Sequence, residues 1–367
     1  MKQLIFISRG NRGNNMAEND VRVAKADLEH FVCKLFQGAG MDEEQSSIVA
    51  RHLVLANLRG VDSHGVSRVE IYTRRLDLGI DSKSAKAKIV KESASSALID
   101  GGAGLGIIMA TEGMKLAVRK AQETGLAVVG IKNSGHCGML ADYTLYAARH
   151  NCLAIATTNA PANMAPWGGK KAFFGTNPFS YGVPAGKEKD IVFDMATSVV
   201  ARGKITLARK NNQPIPLGWA ISKEGKPTTD PGEALDGGLV LPVGGPKGYG
   251  LAFLVDVLSG LLTGAAFGPY IGSLYKDLDR NQNVGQFFFV MRADLFEPLT
   301  EFKNRIDQMI REIRQIPLAE GFERIYLPGE IEYEIALERE QNGIPLTPKI
   351  IRELETVGNR YGIPSPF

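Results

Sequence analysis

Apolar positions recur at helical spacing through residues 24–58, in two stretches parted by Gly38 and Gly40. The spacing predicts a first helix opened at Lys25 or Asp27 and closed by those glycines. Asp42, Glu43 and Glu44 supply an acidic start for a second, which carries Ile48, Val49, His52, Leu53, Leu55 and Ala56. His52 falls within this apolar stretch and reads as a packed structural histidine. His30 and His150 read as structural residues near helix ends. A third helix is expected over 69–78, with Gly79 as its terminator. His64, Arg68 and Tyr72 are spaced i, i+4, i+8, so a helix that begins early would stack all three on one face. A solvated amphipathic face is the plain reading of that row. The company of glycine beside His64 favours a row pointing into a cleft, with Arg68 and Tyr72 against a ligand.

From about residue 88 the pattern changes to short strands alternating with helices. Strands are expected over 97–100, 127–132, 153–158, 179–183 and 191–194, and helices over 111–124 and 139–149. Pro161, Pro166, Gly168 and Gly169 mark a long irregular loop of the kind kept for binding, and 224–246 is again rich in glycine and proline. The longest apolar run, 251–267, is broken by Asp256, Ser259, Gly260 and Gly264. It falls short of the roughly 20 residues of a membrane span and reads as a buried helix. After Pro298 long charged helices return over 302–314 and 347–360. The expected fold class is α/β (α+β). A helical domain built from 16–90 and 297–367 packs around a central mixed-sheet α/β domain over 91–296. Residues 1–15 are expected to be a disordered extension, with Met16 as the start.

Composition adds exclusions. The chain of 367 residues is 44 % hydrophobic and 23 % charged, ordinary for a soluble protein, and its formal charge of +3 makes no basic stripe for nucleic acid. Cys33, Cys137 and Cys152 cannot all pair and form no CxxC, which fits free thiols in a reducing compartment, the cytoplasm. Arg9 and Arg12 follow a short apolar stretch, the wrong order for a signal peptide. There is no HExxH, CxxC or EF-hand spacing, so no metal is expected.

Two of the five histidines sit among glycines and small polar residues, in Ser63-His64-Gly65 and Gly135-His136-Cys137-Gly138. Glycine lets the backbone approach a ligand, and histidine moves protons near neutral pH, so an active site split between two loops is expected. Gly101-Gly102-Ala103-Gly104-Leu105-Gly106 lacks the GxGxxG spacing and an acidic residue about 20 positions on, so a standard Rossmann site is unsupported. Gly244-Gly245-Pro246-Lys247-Gly248 leads straight into a helix, whose free N–H groups and Lys247 favour a phosphate. A hydrolase using Ser63 or Cys137 is the rival from another class. Adjacent Ser63 and His64 face one another poorly as nucleophile and base, and no GxSxG elbow appears. A non-catalytic binding protein is a third reading, which both histidines, Arg68 and Lys247 argue against.

Several stretches in order carry a resemblance. They are Arg59-Gly60-Val61-Asp62-Ser63-His64-Gly65, Gly135-His136-Cys137-Gly138, Pro166-Trp167-Gly168-Gly169 and Phe174-Gly175-Thr176-Asn177-Pro178. Phe193-Asp194-Met195-Ala196-Thr197, Pro227-Thr228-Thr229-Asp230, Gly245-Pro246-Lys247-Gly248-Tyr249-Gly250 and Leu327-Pro328-Gly329-Glu330 complete the set. With these the chain resembles the type-2 malate/L-lactate dehydrogenase family, which includes ureidoglycolate dehydrogenases and diketogulonate reductases. The resemblance implies a homodimeric oxidoreductase using NAD or NADP, with a nucleotide-binding fold unlike the Rossmann domain. It implies His136 or His64 as the proton-transfer residue, with Ser63 beside it. Arg68 would hold the substrate carboxylate, with Thr176 near the substrate. Nucleotide contacts would fall on His136, Cys137, Gly138, Met139 and Leu140, on Ala160, on Asp194, Met195 and Ala196, on Lys247, and on Gly329 and Glu330. One departure stands out: imine-reducing members carry an Asp where this chain has Lys204, after Arg202-Gly203. That lowers the expectation of a cyclic-imine substrate and leaves Arg202 as a candidate second anion contact. The expected reaction moves a hydride between nicotinamide and a small 2-hydroxy acid, malate or L-lactate first and ureidoglycolate as alternative. A positioned histidine taking the alcohol proton contributes about 10²–10⁴-fold.

Overall fold

The computed structural model of the protein describes residues 20–367. The expected extension over 1–15 and the start at Met16 lie outside the described residues. The chain opens with β1 (Val21–Val23), α1 (Lys25–Gly38), α2 (Glu43–Leu58) and α3 (Val69–Asp77). Asp42 caps α2 by accepting Gln45 N–H at 2.8 Å, with Glu43 and Glu44 in the first turn, as the acidic cluster predicts. There follow β2 (Lys88–Glu92), β3 (Ser96–Gly104), α4 (Gly106–Thr124), β4 (Leu126–Ser134), α5 (Ala141–Arg149), β5 (Cys152–Thr158), β6 (Phe179–Val183) and β7 (Ile191–Met195). The segment that follows holds α6 (Arg202–Lys210), β8 (Ala220–Ile221), β9 (Pro227–Thr228), α7 (Pro231–Leu235) and β10 (Leu239–Val240). The chain finishes with α8 (Pro246–Asp256), β11 (Val284–Arg292), α9 (Leu299–Gln315), α10 (Glu330–Asn342), β12 (Ile344–Leu346) and α11 (Pro348–Tyr361).

The main sheet is mixed, seven strands in the order β2-β3-β4-β11-β5-β6-β7, with β3 and β4 the parallel pair. β11 runs antiparallel between β4 and β5 and buries Phe288 and Val290 fully, so the late strand closes the centre of the sheet. One apolar core runs from α1 and α2 through α4 to β4, β5 and β11. A smaller core, with Met164, Phe174, Ile205 and Val240, lies under the three-stranded sheet β10-β8-β9. At the other end β1 pairs antiparallel with β12, and α11 packs on α1 and α3. For the described residues, from 20 on, the division into 16–90 with 297–367 and 91–296 stays a proposal, with the exception of α9. Helix α9 stands apart from the other C-terminal helices. Its Ile310 packs with Ala185 and Ile191, and its Asp307 accepts N–H groups of Gly186, Lys187 and Glu188.

Three expectations need correction. His64, Arg68 and Tyr72 are not on one helix: 3-10 turns over Asp62–His64 and Val66–Arg68 precede α3. Gly65 breaks the path between them, where a Cβ would lie 2.0 Å from Asn57 Oδ1. The stretch 251–267 is not a buried helix. It begins in α8, continues as a π turn over Val257–Leu261, and leaves Leu254, Leu261 and Leu262 exposed. His30 lies in the middle of α1, exposed, rather than near its end.

Candidate active site

The two glycine-flanked histidines meet. His64 ends the first 3-10 turn, His136 lies between β4 and α5, and their rings stack with centroids 5.5 Å apart at 21°. Tyr72 in the first turns of α3 brings its hydroxyl to 2.6 Å from His136 Nδ1. His64, Arg68 and Tyr72 therefore converge, through two turns and a helix rather than one face. Asn57 at the end of α2 holds this path by accepting Val66 N–H at 2.7 Å and donating to Asp62 Oδ1 at 2.7 Å. Arg339 of α10 donates to the two Asp62 oxygens at 2.7 and 3.1 Å.

Arg68 is fixed on two sides. Its Nε donates to the Ser63 carbonyl at 2.8 Å, and Nη1 donates to the Tyr275 hydroxyl. The remaining donors of the guanidinium are left for an anion. A cleft of about 540 Å³ opens beside it, lined by Ser63, Ser67, Arg68, Tyr275 and Lys349.

At His136, Nδ1 faces the Tyr72 O–H and also the Gly138 N–H, 3.2 Å away. With both donating, Nδ1 accepts and the neutral ring carries its hydrogen on Nε2. His64 Nδ1 lies 2.9 Å from Ser63 Oγ. Burial, and next the charge of Arg68, lowers the pKa of His64 to about 3. Burial, Arg68 and His64 hold His136 well below the usual imidazole range. Both histidines keep intermediate exposure, so solvent offsets part of that desolvation. The group offers two neutral imidazoles beside a fixed guanidinium, the parts needed to move a proton next to a carboxylate.

The loop carrying His136 is braced at nearly every turn. Gly106 at the start of α4 packs so closely that a Cβ would lie 2.0 Å from the Gly135 carbonyl oxygen. Gln286 donates to that carbonyl at 3.1 Å, and Gln282 accepts His136 N–H at 3.1 Å. His52, fully buried, accepts Met139 N–H at Nε2 at 3.0 Å and lies 2.8 Å from Asp142 through Nδ1. Arg51 grips Asp142 with both terminal nitrogens, at 2.9 and 2.7 Å. Burial alone would raise the Asp142 carboxyl, but the bonds from His52 and Arg51 outweigh it and hold it well below the usual range. Cys137 is 1 % exposed and burial pushes its thiol up to about 12, the setting of an inert buried cysteine, which counts against the thiol form of the hydrolase reading.

The candidate cofactor residues fall into two groups. Asp194 ends β7 and accepts Ala141 N–H at 2.8 Å, at the start of α5 just after Leu140. Desolvation by the surrounding protein raises its carboxyl to about 6 against the pull of that N–H, while one side stays open to solvent. Gly329, with φ +83°, lies where a Cβ would meet the Val192 carbonyl oxygen at 2.3 Å, so its turn packs directly on β7. Glu330 spends its carboxylate on Leu327 N–H at 2.9 Å and on Arg314 at 3.1 Å. After Met195 and Ala196, Thr197 bonds the Thr176 carbonyl through N–H and hydroxyl, at 2.8 and 2.9 Å. Asn177 ties Ala160 to Ala252, accepting Ala160 N–H at 3.1 Å and donating at 2.9 Å. Lys247 is exposed at the start of α8, behind Gly244 and Gly245 at φ +61° and +64°. Arg202 donates to the Leu235 carbonyl at 2.8 Å and forms no bond to the histidine group among the described residues. A carboxylate beside a helix start and a glycine turn packed on a strand end fit a dinucleotide, its ribose and phosphates respectively.

Tyr275, Gln282, Gln286, Asp142 and Arg51 were not legible as site residues. Tyr275, Gln282 and Gln286 act on the loops from far along the chain, while Arg51 and Asp142 lie near them in sequence but act through each other and His52.

A family profile described as malate/L-lactate dehydrogenase matches residues 23–355. The malate dehydrogenase of Pyrococcus horikoshii is 40 % identical over 353 residues, 94 % of this chain and 97 % of that protein. The NAD(+) ureidoglycolate dehydrogenase of Escherichia coli is 36 % identical over 310 residues, 84 % and 88 % of the two chains. The structure of sulfolactate dehydrogenase from Methanocaldococcus jannaschii superposes with a TM-score of 0.89 at 36 % identity, covering 94 % of this chain and 98 % of that one.

Proposed function

The chain belongs to the malate/L-lactate dehydrogenase family, and from that membership we propose that it interconverts malate and oxaloacetate. It is a nicotinamide-dependent 2-hydroxy acid dehydrogenase, using NAD or NADP. The observation that carries the active-site reading is the meeting of His64, His136, Arg68 and Tyr72 from two separate loops. When bound, the nicotinamide accepts the hydride from the alcohol carbon or returns it to the keto carbon.

The protein's own residues hold the substrate and handle its proton. Arg68, fixed by Ser63 and Tyr275, grips the carboxylate beside the reacting carbon and so aims that carbon. His136, with Nδ1 occupied by two donors, offers Nε2–H to the alcohol or keto oxygen. His64 has Nδ1 beside Ser63 Oγ and is the better placed of the two to take the alcohol proton, at Nε2. Asp194 near the end of β7 and the Gly329 turn against Val192, with Ala160, support the dinucleotide, and Lys247 supplies a charge from α8. Thr176 lies near the substrate, and Arg202 remains a candidate second anion contact. A homodimer in the cytoplasm completes the reading. The outward apolar face of α8 supports the dimer, and the three free cysteines support the compartment. Among the described residues no helix is long and apolar enough to cross a membrane.

The test is oxidation of NADH and NADPH with oxaloacetate, pyruvate and oxalurate. Oxaloacetate is expected to give the highest kcat/KM. A larger value for oxalurate would transfer the chain to the ureidoglycolate reading, and no turnover or cofactor binding would remove the dehydrogenase reading.

A further inference from the structure

Arg59 lies in the interior with its charge unanswered. It follows α2 as the C-cap and is 6 % exposed. Its Nε has no hydrogen-bond partner, and among the described residues no ion pair closes on the guanidinium. A guanidinium keeps its charge in proteins, so burying it without a partner is strongly unfavourable unless something else completes it. Burial weakens its hold on its proton, while the carboxylates of Glu332 and Asp194 act on it from a distance in the opposite sense.

Its surroundings point to what is missing. Gly60, next in the chain, faces Ile335 of α10, and Val61 packs with Met139, Ala141 and Val192. Arg59 thus sits at the seam where the end of α2, the start of α5 and β7 meet. The first N–H groups of α5 are already spent, that of Ala141 on Asp194 and those of Asp142 and Tyr143 on the Met139 and Leu140 carbonyls, so at this seam it is the Arg59 guanidinium that stays unspent. Asp194 leaves its open side for hydroxyl groups.

We propose that Arg59 is a phosphate-binding residue, and that a phosphate of the dinucleotide seats on its guanidinium at this seam. The inference rests on the dehydrogenase reading, and it accounts for a cation that the folded chain alone leaves unpaired. Arg59→Met keeps the length of the side chain and removes the charge, and Arg59→Lys keeps the charge without the planar fork.

The experiment measures Kd for NADH and NADPH by fluorescence, and the melting temperature with and without inorganic pyrophosphate. Arg59→Met is expected to melt no lower than the wild type without ligand, because an unpaired buried charge has gone. It is expected to bind the dinucleotide on the order of 10–100-fold more weakly and to lose stabilisation by pyrophosphate. Arg59→Lys is expected to fall between the two, and supplies the same comparison if the Met variant does not fold. Equal loss for NADH and NADPH assigns the pyrophosphate; loss for NADPH alone assigns the 2′-phosphate. Unchanged Kd for both would overturn the inference. So would unchanged Kd with a raised KM for oxaloacetate, since Arg59 would then serve the substrate carboxylate. Should the wild type bind neither dinucleotide, the dehydrogenase reading fails, and the phosphate site is decided by whether pyrophosphate stabilises wild type over Arg59→Met.

Discussion

Tyr72 is 2 % exposed with its hydroxyl 2.6 Å from His136 Nδ1, so Tyr72→Phe removes one donor from that nitrogen while keeping the ring's packing. A neutral hydrogen bond at about 1–1.5 kcal/mol converts to a fall in kcat of about tenfold. Steady-state kinetics should show that fall with the melting temperature nearly unchanged, and an unchanged kcat would remove Tyr72 from the proton path. His64→Ala should cost more, about 10²-fold or beyond, if the ring moves the proton. The same ring carries a pH signature. Its folded pKa, about 3, lies below the ordinary 6.5, so between those values the unfolded chain binds more protons than the native one. His64 therefore destabilises the fold as pH falls through that window. Asp194 works the other way, since desolvation raises its carboxyl and the native state gains protons first, an effect that its solvent-open side reduces. Urea unfolding at pH 7 and pH 5 should show a smaller acid loss in His64→Gln than in wild type; equal losses would contradict the lowered pKa. His64, Arg68 and Tyr72 were legible because their spacing survives in one short stretch of sequence. Tyr275, which fixes Arg68 from 207 residues away, has no such trace.

Between β4 and α5 the decisive position is Gly138, at φ +71° with an ideal Cβ only 2.1 Å from His52 Nε2. Gly138→Ala meets two penalties: the left-handed backbone, about 1–2 kcal/mol, and displacement of the imidazole that accepts Met139 N–H. The expected result is a lower melting temperature and a raised KM for the dinucleotide, seen by thermal scanning and kinetics. Normal values for both would mean that the loop accommodates a side chain. The element pattern explains what sequence periodicity could reach. The start of α2 followed from its acidic cluster, and the span of β6 matches the expected strand over 179–183. β11 did not, because Phe287, Phe288, Phe289, Val290 and Met291 form a continuous apolar run with no period to read. Its place between β4 and β5 is set by partners more than a hundred residues earlier. The turns before α3 were missed for a different reason: the Asn57 side chain claims the Val66 N–H that a longer helix would have used differently.

Helix α8 turns the usual inside and outside around. Its protein-facing side buries Asp256, which accepts from Asn159 Nδ2 at 3.1 Å and Gly268 N–H at 3.0 Å, and the π turn beyond it buries Ser259, 2.8 Å from the Thr157 hydroxyl. Leu251, Phe253, Leu254, Leu261 and Leu262 point outward, between 39 % and 65 % exposed. Sequence could show that the stretch is apolar but not which side the molecule would cover, since a helix apolar on most sides has no face to read. A contiguous apolar patch of this kind marks an interaction surface, and a second copy of the chain meeting it across a two-fold axis would cover both patches at once. The proposed homodimer therefore predicts a specific failure. Leu254→Asp combined with Leu261→Asp places two charges on the patch without touching Asp256, Ser259 or the histidine group. Sedimentation at micromolar concentration should find a dimer for wild type and a monomer for the variant, with the variant's α-helical circular dichroism retained. A monomeric wild type, or a variant that stays dimeric, would place the subunit contact elsewhere and leave the outward face of α8 without a partner.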